Sequence, residues 1–261
     1  MFIDCSSYQL IALLTVPVVT VLLWLTARPK KRELYTEEEM ESFQEAAEDS
    51  FGDTPLVFHE IVSPDIHIDL LLFPPNERCP FYAVCTMGVG AHRMNVPAQD
   101  LQEEAKEQPE LRALMFPGWD RTELIMYLPA DWKPMWLQEG ASEAEITRSF
   151  WPIETMKAAA RYMVHARTWY AFSQTFSFGS PFRPGSDYIA MAFAAPLPDC
   201  RTPGFTLKAG EKEVSVLQLI PLTECEYEAA KAGNSYEWLR NFLPAEPEAM
   251  KSFLAERVKR L

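Results

Sequence analysis

Apolar positions recur along this chain in three rhythms, each predicting a different kind of element. The first is unbroken. LIALLTVPVVTVLLWLTA, Leu10 to Ala27, carries no charge, and as a helix rising ~1.5 Å per residue it reaches roughly 27 Å, enough to cross a bilayer. Pro17 is tolerated inside a membrane helix where local groups re-satisfy the freed carbonyl, and Trp24 stands near the far end, where an indole favours the interface. The second rhythm is helical. In YTEEEMESFQEAAEDSFGD, Tyr35 to Asp53, the residues Met40, Phe43, Ala47 and Phe51 form a narrow apolar stripe. Thr36 with Glu39 three residues on is a capping box, and Gly52 is a stop signal. Another helix is predicted from about Pro152 at its first position, because Ile153, Met156, Ala160, Met163 and Val164 recur at helical spacing. TECEYEAAKAGNSYEWLRNFLP reads as a helical hairpin and AEPEAMKSFLAERVKRL as a short amphipathic helix.

The third rhythm is that of strands. IHIDLLLFPP and FYAVCTMGVG are joined by the turn-rich NERCP; ELIMYLPADW, Glu123 to Trp132, is ended by Pro129; TWYAFSQTFSF, YIAMAFAAPLP and VSVLQLIPL follow. Strands cluster, with helices interspersed irregularly. The predicted fold class is therefore α+β, a mixed, largely antiparallel sheet with flanking helices, plus an N-terminal transmembrane helix. The predicted organisation is an anchor and basic flank over 1–32, an acidic helical linker over 33–60, a globular domain over 61–243 and a helical tail over 244–261.

Charge changes this picture in two ways. Asp4 precedes the apolar run while Arg28, Lys30, Lys31 and Arg32 follow it, which is the wrong order for a secretory signal and, by the positive-inside rule, keeps the globular part in the cytoplasm. The whole chain carries 24 basic and 37 acidic residues, a formal charge of −13, and no basic stripe follows residue 33. Phosphate neutralisation has no footprint, so no nucleic acid is expected as a partner. The five cysteines, Cys5, Cys79, Cys85, Cys200 and Cys225, include no C-x-x-C and read as reduced thiols. Alternation along CPFYAVC puts Cys79 and Cys85 on one strand face with Phe81 and Ala83.

Candidate chemistry centres on DIHIDLLLFPP, Asp65 to Pro75. At period 2, Asp65, His67 and Asp69 share one face and Ile66, Ile68, Leu70 and Leu72 the other. Residues two apart lie about 7 Å from each other, so His67 and Asp69 can share a metal if a third ligand such as His92 arrives, which frames a metal-assisted hydrolase as the alternative function. The ordinary reading is a polar margin hydrogen-bonded to neighbouring strands or to Arg93. The loop carrying His92 and Arg93, and the tip Ser177 to Phe182 with Phe178 and Phe182, are candidate partner-binding positions, since loops carry binding and exposed aromatics anchor interfaces. Neither glycine pattern for phosphates is completed by Gly88 and Gly90, and no nucleophile elbow or H-E-x-x-H occurs. No cofactor is implied.

The succession IDLLLFPPNERCPFYAVCTMGVGAHRMNVP, RTELIMYLPADWK, WPIETMKAAARY, TWYAFSQTF, GSPF and VLQLIPLTECEYEAAKAG resembles the suppressor of fused domain in its bacterial form, over roughly Ile61 to Leu243. The resemblance implies binding rather than catalysis: animal relatives hold transcription factors in an inactive complex, and bacterial ones resemble immunity proteins that neutralise a neighbouring polymorphic toxin. Taken together with the apolar run and the candidate positions above, which are read from this sequence alone, the expected function is a membrane-tethered protein that sequesters a toxin or regulator, with His67, Asp69, His92, Arg93, Ser177, Phe178 and Phe182 as the expected contacts. One departure stands out. The family commonly shows a Gly-His pair after a Thr-Trp-Leu block, whereas the stretch after Thr168 and Trp169 here reads Phe172, Ser173, Gln174, so a histidine-dependent role at that spot is not carried over.

Overall fold

A computed structural model describes residues 33–259, apart from 53–54, 62, 64, 97–119, 133, 136–137, 183–184 and 203. The apolar run Leu10 to Ala27 and its basic flank lie outside the described residues. Among the described residues, no helix is long and apolar enough to cross a membrane.

The first described helix, α1 (Glu37–Phe51), begins as its sequence dictates. Thr36 accepts from the Glu39 amide and Glu39 reaches back to the Thr36 amide, while Gly52 closes the end with its N–H on Glu48 O at 3.0 Å. Phe43, Ala47 and Phe51 are buried, and each of the two phenyl rings contributes on the order of 1.5–3 kcal/mol by leaving water. There follow β1 (Leu56–Phe58), β2 (Asp69–Phe73), β3 (Phe81–Met87), a 3-10 turn over Val89–Ala91 and β4 (Thr122–Pro129). The short α2 (Glu143–Ser149), capped by Ser142 and Glu145, leads through Phe150 into α3 (Trp151–His165), which carries proline in its first turn as expected. Then come β5 (Thr175–Ser177), β6 (Tyr188–Ala194), β7 (Thr206–Ala209) and β8 (Lys212–Thr223). Three helices close the chain: α4 (Glu224–Lys231), α5 (Ser235–Phe242) and α6 (Pro247–Lys259).

The strands make one sheet in the order β1-β2-β3-β4-β8-β6-β5, with β7 also paired to β8. Among the described residues, every pairing is antiparallel except β4 with β8. Both faces are covered. Helices α1, α5 and α6 pack with Leu71, Phe73, Cys79, Cys85 and Ile220 on one side, and α3 packs through Ile153, Met156, Ala159, Ala160 and Met163 against Leu70, Leu72, Val84 and Leu124 on the other. A sheet buried on both faces has no polar face to alternate with, so β2 is buried at all five positions.

The alternation expected across Asp65 to Leu72 holds, with Ile66, Ile68, Leu70 and Leu72 in one core cluster and His67 3.1 Å from Asp69, but the strand is shorter than expected. The strand begins only at Asp69, and the chain bends at Asp65 and Ile66. The long strand expected over TWYAFSQTFSF is also corrected: a turn closed by Gln174 N–H on Ala171 O, with Ser173 at φ 71, leaves only Thr175–Ser177 as strand. The terminal helix α6 is held by its own cation. Arg257 donates to Pro221 O and pairs with Glu226, while its guanidinium lies 4.4 Å from the Phe253 ring centroid. Cys79, Cys85 and Cys200 are buried free thiols, and burial pushes all three above the ordinary thiol range, Cys200 to about 12.

Candidate partner-binding surface

Three places in this frame gather polar groups, and they differ in whether those groups already satisfy one another. The first surrounds Asp69, a residue only 3% exposed. Its Oδ1 accepts from the Glu60 amide at 2.8 Å and lies 3.1 Å from His67 Nε2, while Oδ2 lies 3.0 Å from His59 Nδ1. Glu60 in turn accepts from Ser63 Oγ at 2.8 Å, from Lys157 Nζ at 2.8 Å and from Arg161 Nη2 at 2.6 Å. Arg161 Nε also donates to Asp65 at 3.0 Å, and His165 Nε2 sits 2.5 Å from the other Asp65 oxygen. The segment from His59 to Ile68 is thus clasped onto α3. Burial opposes the charged form of Glu60, but its bonds from Lys157, Arg161 and Ser63 win and hold the carboxyl at about 2.

Ser63, His67 and Asp69 stand in a line, with Ser63 Oγ 2.8 Å from His67 Nδ1. The line is not a nucleophilic triad. Ser63 has one hydroxyl proton and donates it to the ionised Glu60, and Asp69 is shared with an amide and a second imidazole. The hydrolase alternative finds no support in its ligand set: among the described residues, no three His, Cys, Asp or Glu side chains converge so as to hold a metal ion, and His67 and Asp69 are bonded to each other.

The second place is the turn after β3. Glu123 on β4 is fully buried and accepts from Thr86 Oγ1 at 2.6 Å and from the amides of Gly88 and Gly90 at 2.8 and 2.9 Å. Desolvation dominates, so its carboxyl is pushed up to about 7 despite those bonds. This explains the glycines without any phosphate. Gly88 holds φ 121 and a Cβ there would lie 2.4 Å from His67 O; a Cβ on Gly90 would lie 2.2 Å from the Tyr35 hydroxyl. Arg121 fastens the turn by donating to Gly90 O and Ala91 O. His92 follows the turn, half-buried, with its N–H on Val89 O. Arg93 is exposed and pairs with Asp120 at 3.0 Å.

The third place is different. A groove of about 560 Å³ runs beside β5, between Tyr162 of α3, Trp169, and Tyr227 and Lys231 of α4. Among the described residues, β5 is the last strand of the sheet. Phe193 N–H donates to Gln174 O and Phe178 N–H to Ile189 O, each at 2.9 Å. Bonded and outward-facing residues alternate along an antiparallel pair, so the N–H and C=O of Thr175 and Ser177, which stand in register with Ala192 and Ala190, point away from β6 into the groove. Aromatic rings line it: Tyr162 and Phe176 lie 4.8 Å apart between centroids, and Trp169, Tyr170 and Tyr227 also face it.

Of the residues singled out in the sequence, His67 and Asp69 meet in the clasp, His92 and Arg93 flank the turn, and Ser177 lies on the groove. Phe178 and Phe182, 5.1 Å apart, are half-buried against the core, rather than exposed at a loop tip. Tyr162, Thr175 and Lys231 were not singled out. Tyr162 carries a legible signal, being an aromatic off the buried stripe of α3 and 50% exposed.

Comparison with known proteins gives a consistent result. The family described as suppressor of fused protein matches residues 64–250. A suppressor of fused homolog from Neisseria gonorrhoeae is 14% identical, with 79% of this chain and 90% of that one covered and a TM-score of 0.47. A chain of the Sufu–Fu complex is 13% identical over 88% of this chain and 92% of that one, with a TM-score of 0.54. Drosophila Suppressor of Fused is 15% identical over 81% of this chain, with a TM-score of 0.50, and the matched part spans 48% of that protein. No curated protein matches by sequence.

Proposed function

Because the chain belongs to the suppressor of fused family, matched over residues 64–250, we propose that it is a non-enzymatic protein-binding domain that holds a protein partner along the open edge of β5. The observation that carries this reading is the pair of outward-facing peptide groups at Thr175 and Ser177 beside an aromatic-walled groove. An extended segment pairs with such an edge through its own backbone, and pockets for alternate side chains provide selectivity. The Sufu–Fu pair supports the general reading, since a similar fold there is found in complex with a protein.

The finer reading is a membrane-tethered sequestering protein, anchored through Leu10 to Ala27 with its domain in the cytoplasm, whose partner is a toxin or regulator encoded nearby. The apolar run and the cations from Arg28 to Arg32 support the tether, and the net charge of −13 suits a basic partner. A photo-crosslinking residue at Ser177 of the full chain, in cells expressing its genomic neighbours, tests both. One protein crosslinked at the groove is expected; recovery of none from membranes of those cells contradicts the reading. A reporter fused after Leu261 tests the topology, with activity expected only from a reporter that works in the cytoplasm.

A further inference from the structure

The groove has one feature that backbone pairing does not use. Among its described lining residues, Lys231 is the sole charged side chain; the others are aromatic, hydroxyl, amide or small. It stands in the last turn of α4, with Nζ 3.1 Å from Glu228 and 5.0 Å from the Tyr227 ring centroid. Both members of that ion pair are at least half exposed, so the pair is weak and exchangeable. Beside it the chain turns through Gly233 into α5, whose first residue Ser235 also lines the groove.

We propose that Lys231 sets the chemistry of the partner: the segment docked on β5 carries a carboxylate side chain that replaces Glu228 on the Lys231 ammonium. This deepens the binding reading above and rests on it. The surrounding charge narrows the choice further. A chain of net charge −13 repels a generally acidic segment at long range, so the segment carries one Asp or Glu opposite Lys231 within neutral or basic flanks. Once the segment covers the groove, that contact lies against Tyr227 and out of bulk water, where a charged pair discriminates well between partners.

The probe is a displayed library of random decapeptides, selected in parallel on the full chain and on its Lys231→Glu and Lys231→Met variants. Peptides whose binding is lost on Ser177→Pro are scored as groove binders. Melting curves close to that of the parent establish that each variant is folded, as expected for an exposed residue in a last helical turn. The expected result is an Asp or Glu at one fixed position among groove binders of the parent, a Lys or Arg there for Lys231→Glu, and no charge preference there for Lys231→Met. Exchanging peptides between parent and Lys231→Glu is expected to weaken binding by about tenfold or more. Groove binders with no fixed acid, or with the same preference on all three proteins, overturn the role of Lys231 and leave the groove as the docking edge. Failure of the folded parent to select any peptide sensitive to Ser177→Pro overturns the groove itself, and this inference with it.

Discussion

The two ends of the sheet treat their polar groups in opposite ways. Beside β1 and β2, the segment His59 to Ile68 is enclosed by its own partners: Asp69 with two imidazoles and an amide, Glu60 with Lys157 and Arg161, Asp65 with Arg161 and His165. Beside β5, two peptide groups and an ammonium face a groove. The first end looks chemical in sequence and is structural in space. The second is inconspicuous in sequence, three residues of strand with no titratable side chain, and it is the end where peptide groups are left facing outward. A polar cluster that satisfies itself stabilises; a function of binding needs groups that the fold has left available.

Substitution at the open end is predicted to act on affinity alone. Proline is tolerated on an edge strand where the lost N–H faced outward, so Ser177→Pro is expected to leave the melting transition nearly in place. Partner binding measured by calorimetry should fall by roughly a hundredfold, as one docking bond is lost and the ring obstructs the edge. A large fall in stability with unchanged affinity would reverse the assignment of the two ends.

A titration of stability sharpens the contrast, because two buried carboxylates pull in opposite directions. Glu123 is raised from 4.5 to about 7; between those values the folded protein holds a proton that the unfolded chain releases, so stability falls as pH rises. At about 1.4 kcal/mol per pH unit the loss is about 3.5 kcal/mol, complete above pH 7. Glu123→Gln is expected to flatten that slope in urea unfolding series. Glu60 is lowered from 4.5 to about 2, so its contribution is fully present above pH 4.5 and is lost as pH falls toward 2.

At the clasped end, Glu60→Ala leaves Lys157 and Arg161 partly buried without their shared carboxylate. A loss of about 2 kcal/mol in urea unfolding is expected, with affinity for a groove-bound peptide unchanged. The smallest effect is expected at Ser173, whose φ of 71 is in the left-handed region. Ser173→Gly should change stability by less than about 1 kcal/mol, since relief of that conformation is offset by unfolded-state entropy and the lost contact to Ser235.

How much of this was legible in the chain follows the range of the interaction. Local signals were plain: the Thr36–Glu39 box, Pro129 closing β4, Pro152 opening α3, and Cys79 and Cys85 sharing a core with Phe81 and Ala83. Glu60 was not, because its partners Lys157 and Arg161 lie 97 and 101 residues away. The strands β1 and β7, of 3 and 4 residues, are too short to show a period. The groove depends on which strand ends the sheet, and that is decided by long-range pairing: β8 passes between β4 and β6 and leaves β5 at the edge.

The most direct test of the open edge is amide hydrogen exchange, residue by residue, on the full chain alone and with its co-purified protein partner. Protection appearing at Thr175 and Ser177 on complex formation, with the amides of Glu60 and Ile68 equally protected in both states, is the predicted result. Protection arising instead at His59 to Ile68 or around Arg93, with Thr175 and Ser177 unchanged, would contradict it.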